Sequence, residues 1–500
     1  MTRFASFCTL LAMFFAASPG AFSQEAACVD GFAASFPCAS VNLLSQVSLA
    51  EMNGSYANDI WGWTDDMTGK EYAIVGLSDG TSFVDVSNPT DPVFLGKLPG
   101  RGSASTWRDM KVYADHAFVV SEASGHGMQV FDLTQLRGRT GPTTFAETAH
   151  YNTVGRVHNI AINEDTGYAY IVGAGGGAGC AGGLHMVDIQ DPLNPTFAGC
   201  FDDDGYTHDV QCVVYDGPDT DYTGAEICFA SNEDTVTIVD VTDKASPVEI
   251  SQAVYPNDAY THQGWLTEDH KYFIANDELD ESNFSFNTRT LIFDVSDLDS
   301  PEFARQYNHP TASTDHNSYV KGRYAYQSNY TSGLRIVDLD RLLSTGGPVR
   351  EVAFFDTFTQ NDNVGFGGGS WSNYPYFESG IVIVSDQGGG LFVVEPQLAG
   401  QNPVANESDA TPGSVALSAA YPNPFADRTQ FELTLGDTQE IDVAVYDVLG
   451  RRVVDLFRGT LGANEQRTFV FDGTALPAGL YFVRVTGEDF AETRQVALTR

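Results

Sequence analysis

The sequence predicts an all-β chain: a seven-bladed β-propeller followed by a small immunoglobulin-like β-sandwich. Three observations predict it. A unit of about 50 residues recurs seven times, each copy breaks into short β-patterned runs, and a polar stretch near residue 400 separates these copies from a second, shorter β region.

Residues 1–23, MTRFASFCTLLAMFFAASPGAFS, hold one early basic residue, Arg3, an apolar run from Phe4 to Ala17, and a small-x-small ending at Ala21-Phe22-Ser23. This is the pattern of a secretory signal cut after Ser23. The apolar run is shorter than the ~20 residues that span a bilayer, and no later run is long enough, so no transmembrane helix is expected in the mature protein.

The repeat emerges when stretches ending in an apolar-Asp-apolar step are stacked: TSFVDVSNPTDP (81–92), GMQVFDLTQL (127–136), GLHMVDIQDPLNP (183–195), TVTIVDVTDKASP (235–247), RTLIFDVSDLDSP (289–301), GLRIVDLDRL (333–342) and GLFVVEP (390–396). Before each lies a run rich in Tyr, Phe, Val and Ile, and before that a third run opening on a polar residue. A fourth short strand follows in PVFLGKL (92–98), PTFAGCF (195–201) and PVEISQAV (247–254). Four antiparallel strands, seven times, is the signature of a propeller, with a solenoid of stacked β-coils as the architectural alternative.

A propeller must join its first and last blades or leave exposed edges. The seventh copy stops at Pro396 without a fourth strand, while VNLLSQVSLA (41–50) stands before the first copy where such a strand belongs. The expected organisation is therefore a signal at 1–23, a propeller at 24–396 with 41–50 closing its last blade, a linker at 397–414 and a β-sandwich at 415–500. The linker, QLAGQNPVANESDATPGS, is polar and aperiodic; the sandwich alternates in TQFELTL, IDVAVYDV, RTFVFDG and GLYFVRV.

Beyond Cys8 in the signal, six cysteines remain: Cys28, Cys38, Cys180, Cys200, Cys212 and Cys228. An even number in an exported chain favours disulfides, and sequence neighbours suggest 28 with 38, 180 with 200 and 212 with 228, among about 15 connectivities. Acidic residues number 66 against 26 basic ones, six of them lysines, for a formal charge of −40. Such a field repels nucleic acid and anionic lipid surfaces. A solvated acidic surface is the plain reading, and adaptation to high salt is the sharper one.

Two regions resemble known families. AAYPNPFADRTQFEL (419–433), VYDVLGRRV (445–453) and LPAGLYFVRV (476–485) resemble the type A sorting domain of type IX secretion substrates. That resemblance implies handling by the type IX secretion machinery through residues 415–500 and delivery to the outer-membrane surface or the medium. NDIWGWTDDMTGKEYAIVG (58–76), WRDMKVY (107–113), GHGMQVFDLTQLR (125–137), THDVQCVVYDGPDTDYTGAEICFASNEDT (207–235), THQGWLTED (261–269), DELDE (277–281) and DHNSYVKG (315–322) resemble the choice-of-anchor B family with its LVIVD-type repeats. This second resemblance brings no assigned reaction.

Aligning the copies at the opening of the first strand gives Asn58, Arg108, His158, His208, His262, His316 and Ser370. In a propeller these starts surround the channel, so the four histidines converge as an arc. Neutral imidazoles suit Zn, Cu, Ni or Fe, which makes His158, His208, His262 and His316 the candidate metal ligands, with Asp59, Asp109, Asp209 and Asp315 to orient them or complete a shell. Hydrogen bonding to the neighbouring blade is the competing role, and an anion held by Arg108 and the histidines is a third. Candidate ligand-binding residues are Asn58, Arg108, Asp109, Trp265 and Ser370.

Other motifs carry less. GAGGGAGCAGG (173–183) lacks the ending of a phosphate loop and reads as a flexible loop pinned by Cys180. DGPDTD (216–221), DDDG (202–205) and DELDE offer carboxylates to calcium but no EF-hand spacing, so turns or acidic surface are the default. Trp61, Trp107, Trp265 and Trp371 are expected to pack between blades. No Gly-x-Ser-x-Gly elbow is present. The favoured function is binding, of an unidentified protein or small-molecule ligand, at the face bearing the histidine arc. The alternative is a metal-assisted hydrolase or lyase at the channel mouth. A transition metal or calcium is the candidate cofactor.

Overall fold

The structure is a computed structural model of the 500-residue chain, and it describes residues 25–177, 179–398, 415–417, 425, 427–435, 438–447, 451–462, 466–487 and 491–499. The segment read as a signal and most of the linker, 399–414, lie outside the described residues. The chain divides into two compact units, residues 1–398 and 399–500.

Seven antiparallel blade sheets, one per sequence repeat, build the first unit; a parallel strand, Thr143–Thr144, joins the outer edge of the first, and a two-stranded sheet, Val154–Arg156 with Gly175–Gly177, stands beside them. The innermost strands of the seven are Ala57–Asp65, Arg108–Tyr113, Asn159–Asn163, Asp209–Val214, Thr261–Leu266, Ser318–Lys321 and Ser370–Tyr374. Each neighbours the next, and the seventh neighbours the first, so the ring closes. We number the sheets as blades 1 to 7 in that order. Blade 7 takes its outer strand from the N-terminal region: Val41–Val47 pairs antiparallel with Gly390–Pro396. A second N-terminal strand, Phe36–Ala39, adds to the outer edge of blade 6 against Arg350–Phe355. Cys28–Cys38 fastens this segment, Cys180–Cys200 ties the glycine-rich loop to the outer strand of blade 3, and Cys212–Cys228 joins the two inner strands of blade 4.

The recurring Asp has a local cause. At the end of the third strand its carboxylate accepts the backbone N–H two residues on, as Asp85 does from Ser87 (3.0 Å), Asp188 from Gln190 (3.0 Å), Asp240 from Thr242 (2.9 Å), Asp294 from Ser296 (3.0 Å) and Asp338 from Asp340 (2.9 Å). The side chain thus mimics a backbone turn and stops the strand, while its apolar neighbours stay in the core. A register shift between third and fourth strands recurs as well, at Phe83/Val84, Met186/Val187, Ile238/Val239, Ile292/Phe293 and Ile336/Val337. Such bulges increase twist, which a blade needs. The core lies between blades, where Phe83 and Phe131, or Phe229 and Phe273, face each other with ring centroids 4.6 and 5.5 Å apart.

The second unit is a two-sheet sandwich. One sheet holds Val415–Leu417, Arg428–Leu435 and Gln466–Asp472; the other holds Arg452–Leu461, Gln439–Asp447, Gly479–Thr486 and Ala491–Leu498. Alternate residues Phe431, Leu433, Leu435, then Ile441, Val443, Val445, then Tyr481, Val483, Val485 are buried in one cluster, as strand period requires. Among the described residues no helix is long and apolar enough to cross a membrane.

Candidate functional site

The seven strand starts stand at one mouth of the channel, and their side chains take three different roles. Asn58, fully buried, donates to the Thr106 carbonyl of the next blade at 2.7 Å. Arg108 turns between blades 1 and 2, where its Nε donates to the Leu77 carbonyl at 2.9 Å and its Nη1 to His126 Nε2 at 2.8 Å. His126 is the acceptor because its Nδ1–H donates to the Gly127 carbonyl at 3.0 Å, and burial with the adjacent guanidinium pulls its pKa down to about 4. Ser370 is buried, with its backbone N–H on the Tyr330 carbonyl. Asn58 and Arg108 fasten blades through their side chains and Ser370 through its backbone, and all three are buried.

The four histidines form a continuous row. Ring centroids are 4.2 Å apart from His158 to His208, 4.2 Å from His208 to His262 and 4.4 Å from His262 to His316. His158 Nδ1 donates to Glu122 at 2.6 Å, His208 Nδ1 to the His262 carbonyl at 3.0 Å, and His316 Nδ1 to the Trp371 carbonyl at 2.6 Å. The last two bonds fasten blades and also fix the tautomer, leaving each Nε2 with a bare lone pair. His262 differs: it is 1% exposed, and neither ring nitrogen makes a hydrogen bond of good geometry among the described residues, with Asn276 the polar side chain beside it. A break in register explains its placement, since Thr261 pairs with Asp277 and Gly264 with Ala275, so His262 and Gln263 share the space of one partner residue. Burial, reinforced by neighbouring imidazoles, holds His208 and His262 well below the ordinary range, and burial brings His316 to about 3. These three rings are neutral at physiological pH.

The acids read as an orienting shell lie elsewhere. Asp59, Asp109 and Asp209 occupy the next level down, where Asp109 accepts the Ile160 N–H of blade 3 at 2.9 Å and Lys111 Nζ at 2.7 Å. Asn317 donates to Asp59 at 3.0 Å and Asn159 to Asp209 at 3.1 Å. Burial raises Asp59 to about 7 and Asp209 well above its ordinary value. This layer stitches blades together. Asp315 is buried beside Asp280 and Glu281, and neither of its oxygens makes a hydrogen bond among the described residues.

Instead, Glu122 and Glu278 face the histidines. Glu278 Oε2 lies 3.9 Å from His262 Nε2 and its Oε1 lies 3.7 Å from His316 Nε2, while Tyr330 donates to Oε1 at 2.9 Å. Burial raises the Glu278 carboxyl to about 7. The three ligand atoms of His262, Glu278 and His316 lie within 4.8 Å of one another. Glu122 and Glu278 each follow the last residue of a second strand, Ser121 and Asp277, and so stand at equivalent repeat positions. Stacking those exits, as the strand starts were stacked, is the signal that finds them.

Trp265 goes to the other end of the channel. Three residues along an extended strand from His262 is about 10 Å, and there it packs on Tyr319 at 5.0 Å and, with Trp61 and Lys111, lines a cavity of ≈ 270 Å³ at the opposite mouth. Trp371 packs on His316 at 4.8 Å, whereas Trp107 is exposed. On the histidine side a larger cavity, ≈ 660 Å³, lies beside blades 6 and 7, lined among others by Phe36, Tyr56, Phe358, Phe366, Asp386 and Gln387. It adjoins the histidine row: Tyr56 contacts Trp371 (6.4 Å) and Phe366 contacts Tyr330 (5.7 Å).

The acidic motifs divide. In DELDE, Asp277 accepts the Ala259 and Tyr260 N–H groups at 2.7 and 2.8 Å, Asp280 pairs with Arg289 at 2.5 Å, and Asp277, Asp280 and Glu281 are buried, so the motif is not acidic surface. In DGPDTD, Asp219 meets Asp297 and Asp299 in an outer cluster of carboxylates. In DDDG, Asp204 accepts Asn232 Nδ2 at 2.7 Å.

Two family models match parts of the chain. Residues 419–498 match the secretion system C-terminal sorting domain, and residues 69–98, 154–203 and 227–253 match the LVIVD repeat. The sorting domain marks the chain for type IX secretion to the cell surface or extracellular space, which suits its three disulfides. No curated protein matches. Among solved structures, the C-terminal WD40 domain of Sif2 aligns at a TM-score of 0.42 and 11% identity, over 72% of this chain and 85% of that one.

Proposed function

We propose that the mature protein is an exported ligand-binding module whose working surface is the histidine-bearing mouth, and that its ligand is a neutral, polyhydroxylated molecule of the saccharide class. The observation that carries this reading is the ≈ 660 Å³ cavity beside the histidine row. Its volume falls within the ~300–1,000 Å³ of small-molecule sites. The chemistry of the lining selects the ligand. Aromatic rings of Phe36, Tyr56, Phe358 and Phe366 offer flat apolar surfaces, while Gln360, Gln387 and Asp386 offer amide and carboxylate partners to hydroxyl groups. No lysine or arginine lines the cavity, and the chain carries a charge of −40, so an anionic ligand is disfavoured.

Isothermal titration of the purified full chain with maltotriose, cellotriose and xylotriose, with trigalacturonate as the charged control, tests the reading. Binding of a neutral trisaccharide, weakened at least tenfold by Phe366→Ala, is the expected result. Absence of binding by all three at millimolar concentration, or preference for the charged control, removes it. The His262–Glu278–His316 triangle favours a second reading, metal-assisted hydrolysis or elimination at the same mouth, which a release assay on the bound trisaccharide addresses.

A further inference from the structure

We infer that His262 Nε2, His316 Nε2 and a carboxylate oxygen of Glu278 form a transition-metal site at the channel mouth, of the zinc, copper or cobalt class. The inference rests on the reading of this mouth as the working face but uses different residues from the saccharide cavity.

Distances carry the first part of the argument. Glu278 stands 3.9 Å from His262 Nε2 and 3.7 Å from His316 Nε2, too far for hydrogen bonds. A tetrahedral ion with bonds of about 2.0–2.2 Å holds its ligand atoms about 3.3–3.6 Å apart. The two short approaches run to different oxygens, Oε2 and Oε1, and one ligand atom from each residue lies within 4.8 Å of the others, so seating one ion draws the three side chains together by up to about 1.5 Å. The spacing is therefore too long for direct hydrogen bonds and leaves the three side chains converging on one point that an ion can occupy.

Satisfaction of polar groups carries the second part. Neither nitrogen of the buried His262 ring makes a hydrogen bond of good geometry. Leaving a buried polar group unpaired costs about 1–3 kcal/mol, and native structures do so rarely. Asn276 is the polar side chain beside the ring, and an ion on Nε2 would supply the partner that no hydrogen bond of good geometry supplies. The outer contacts are those that metal ligands use: His316 Nδ1–H is held by the Trp371 carbonyl at 2.6 Å, so Nε2 is the free ligand atom, and Tyr330 donates to Glu278 at 2.9 Å. His208, fixed by the His262 carbonyl at 3.0 Å, has its own Nε2 free one ring further along.

Donor type identifies the class of ion. Two imidazoles with one carboxylate suit zinc, copper or cobalt, whereas calcium takes six to eight oxygens. Three protein ligands leave a coordination position for water or a ligand hydroxyl.

The test uses the full chain expressed without a His-tag, stripped with chelator and titrated with Co²⁺ while the visible absorption of tetrahedral cobalt is recorded, with zinc content measured in parallel. The expected result is about one equivalent per chain, with affinity reduced at least tenfold in Glu278→Gln and in His316→Gln. Thermal melts of each variant show whether it remains folded, and the conservative Glu278→Gln keeps the test informative if a histidine variant does not fold. No uptake by the wild type, or uptake unaffected by Glu278→Gln, overturns the site. Titration of the same metal-free protein with trisaccharide separates the two proposals: sugar binding without metal uptake sinks only this one, and metal uptake without sugar binding sinks only the other.

Discussion

Burial decides what single residues do at this mouth. Asn58, Arg108, His208 and His316 occupy one repeat position yet reach different acceptors, because each finds a different carbonyl of a neighbouring strand within range. Glu281 shows the opposite outcome. The residue is 2% exposed, and desolvation with neighbouring Asp280 raises its carboxyl from 4.5 to about 9. An acid whose folded pKa is raised binds its proton more tightly when folded, so its stabilising contribution is complete below about 4.5 and lost as pH rises towards 9. Glu281→Gln should therefore leave the melting temperature unchanged at pH 4 and raise it at pH 8; a lower value at pH 8 contradicts the assignment. The strand starts were legible in the sequence because they recur at regular spacing. Glu278 was not, since its run of acids reads equally as a turn or a solvated surface, and only the turn of the second strand of blade 5 aims it at His262 and His316. Trp265 was misplaced for a related reason: three residues of strand carry it to the far mouth.

Strand pairing explains how the repeat becomes a ring. The apolar-Asp-apolar step was legible as a repeat and is physically a strand stop, and the missing fourth strand of the seventh copy is supplied by Val41–Val47. Deleting residues 24–50 would bare the edge of Gly390–Pro396, so the deletion variant should lose cooperative unfolding, and an unchanged melting transition contradicts that role. Removing the Cys28–Cys38 bridge by Cys28→Ser with Cys38→Ser should cost about 2–4 kcal/mol in denaturant unfolding while leaving Co²⁺ uptake intact. The added pairing of Phe36–Ala39 on blade 6 had no counterpart in the repeat pattern, since a strand that joins another blade's outer edge leaves no periodic trace.

At the scale of the whole molecule, charge and address work together. A net charge of −40 on a chain delivered to the surface or medium sets up self-repulsion that salt screens. The melting temperature should rise as sodium chloride is raised from low to molar concentration, and a flat response would leave the acids as ordinary solvated surface. The ring presents two unlike mouths: one with the histidine row, half-buried glutamates and the larger cavity, the other with Trp61, Trp265 and Lys111 around the smaller one. The central claim is that the histidine mouth is the working one. A crystal of the full chain, soaked with zinc and the bound trisaccharide and measured at the zinc edge, tests it most directly. The account predicts an anomalous peak about 2.0–2.2 Å from His262 Nε2 and His316 Nε2 and sugar density over Phe366. Metal only at the Asp219, Asp297 and Asp299 cluster, with sugar at the Trp61–Trp265 cavity, would contradict it.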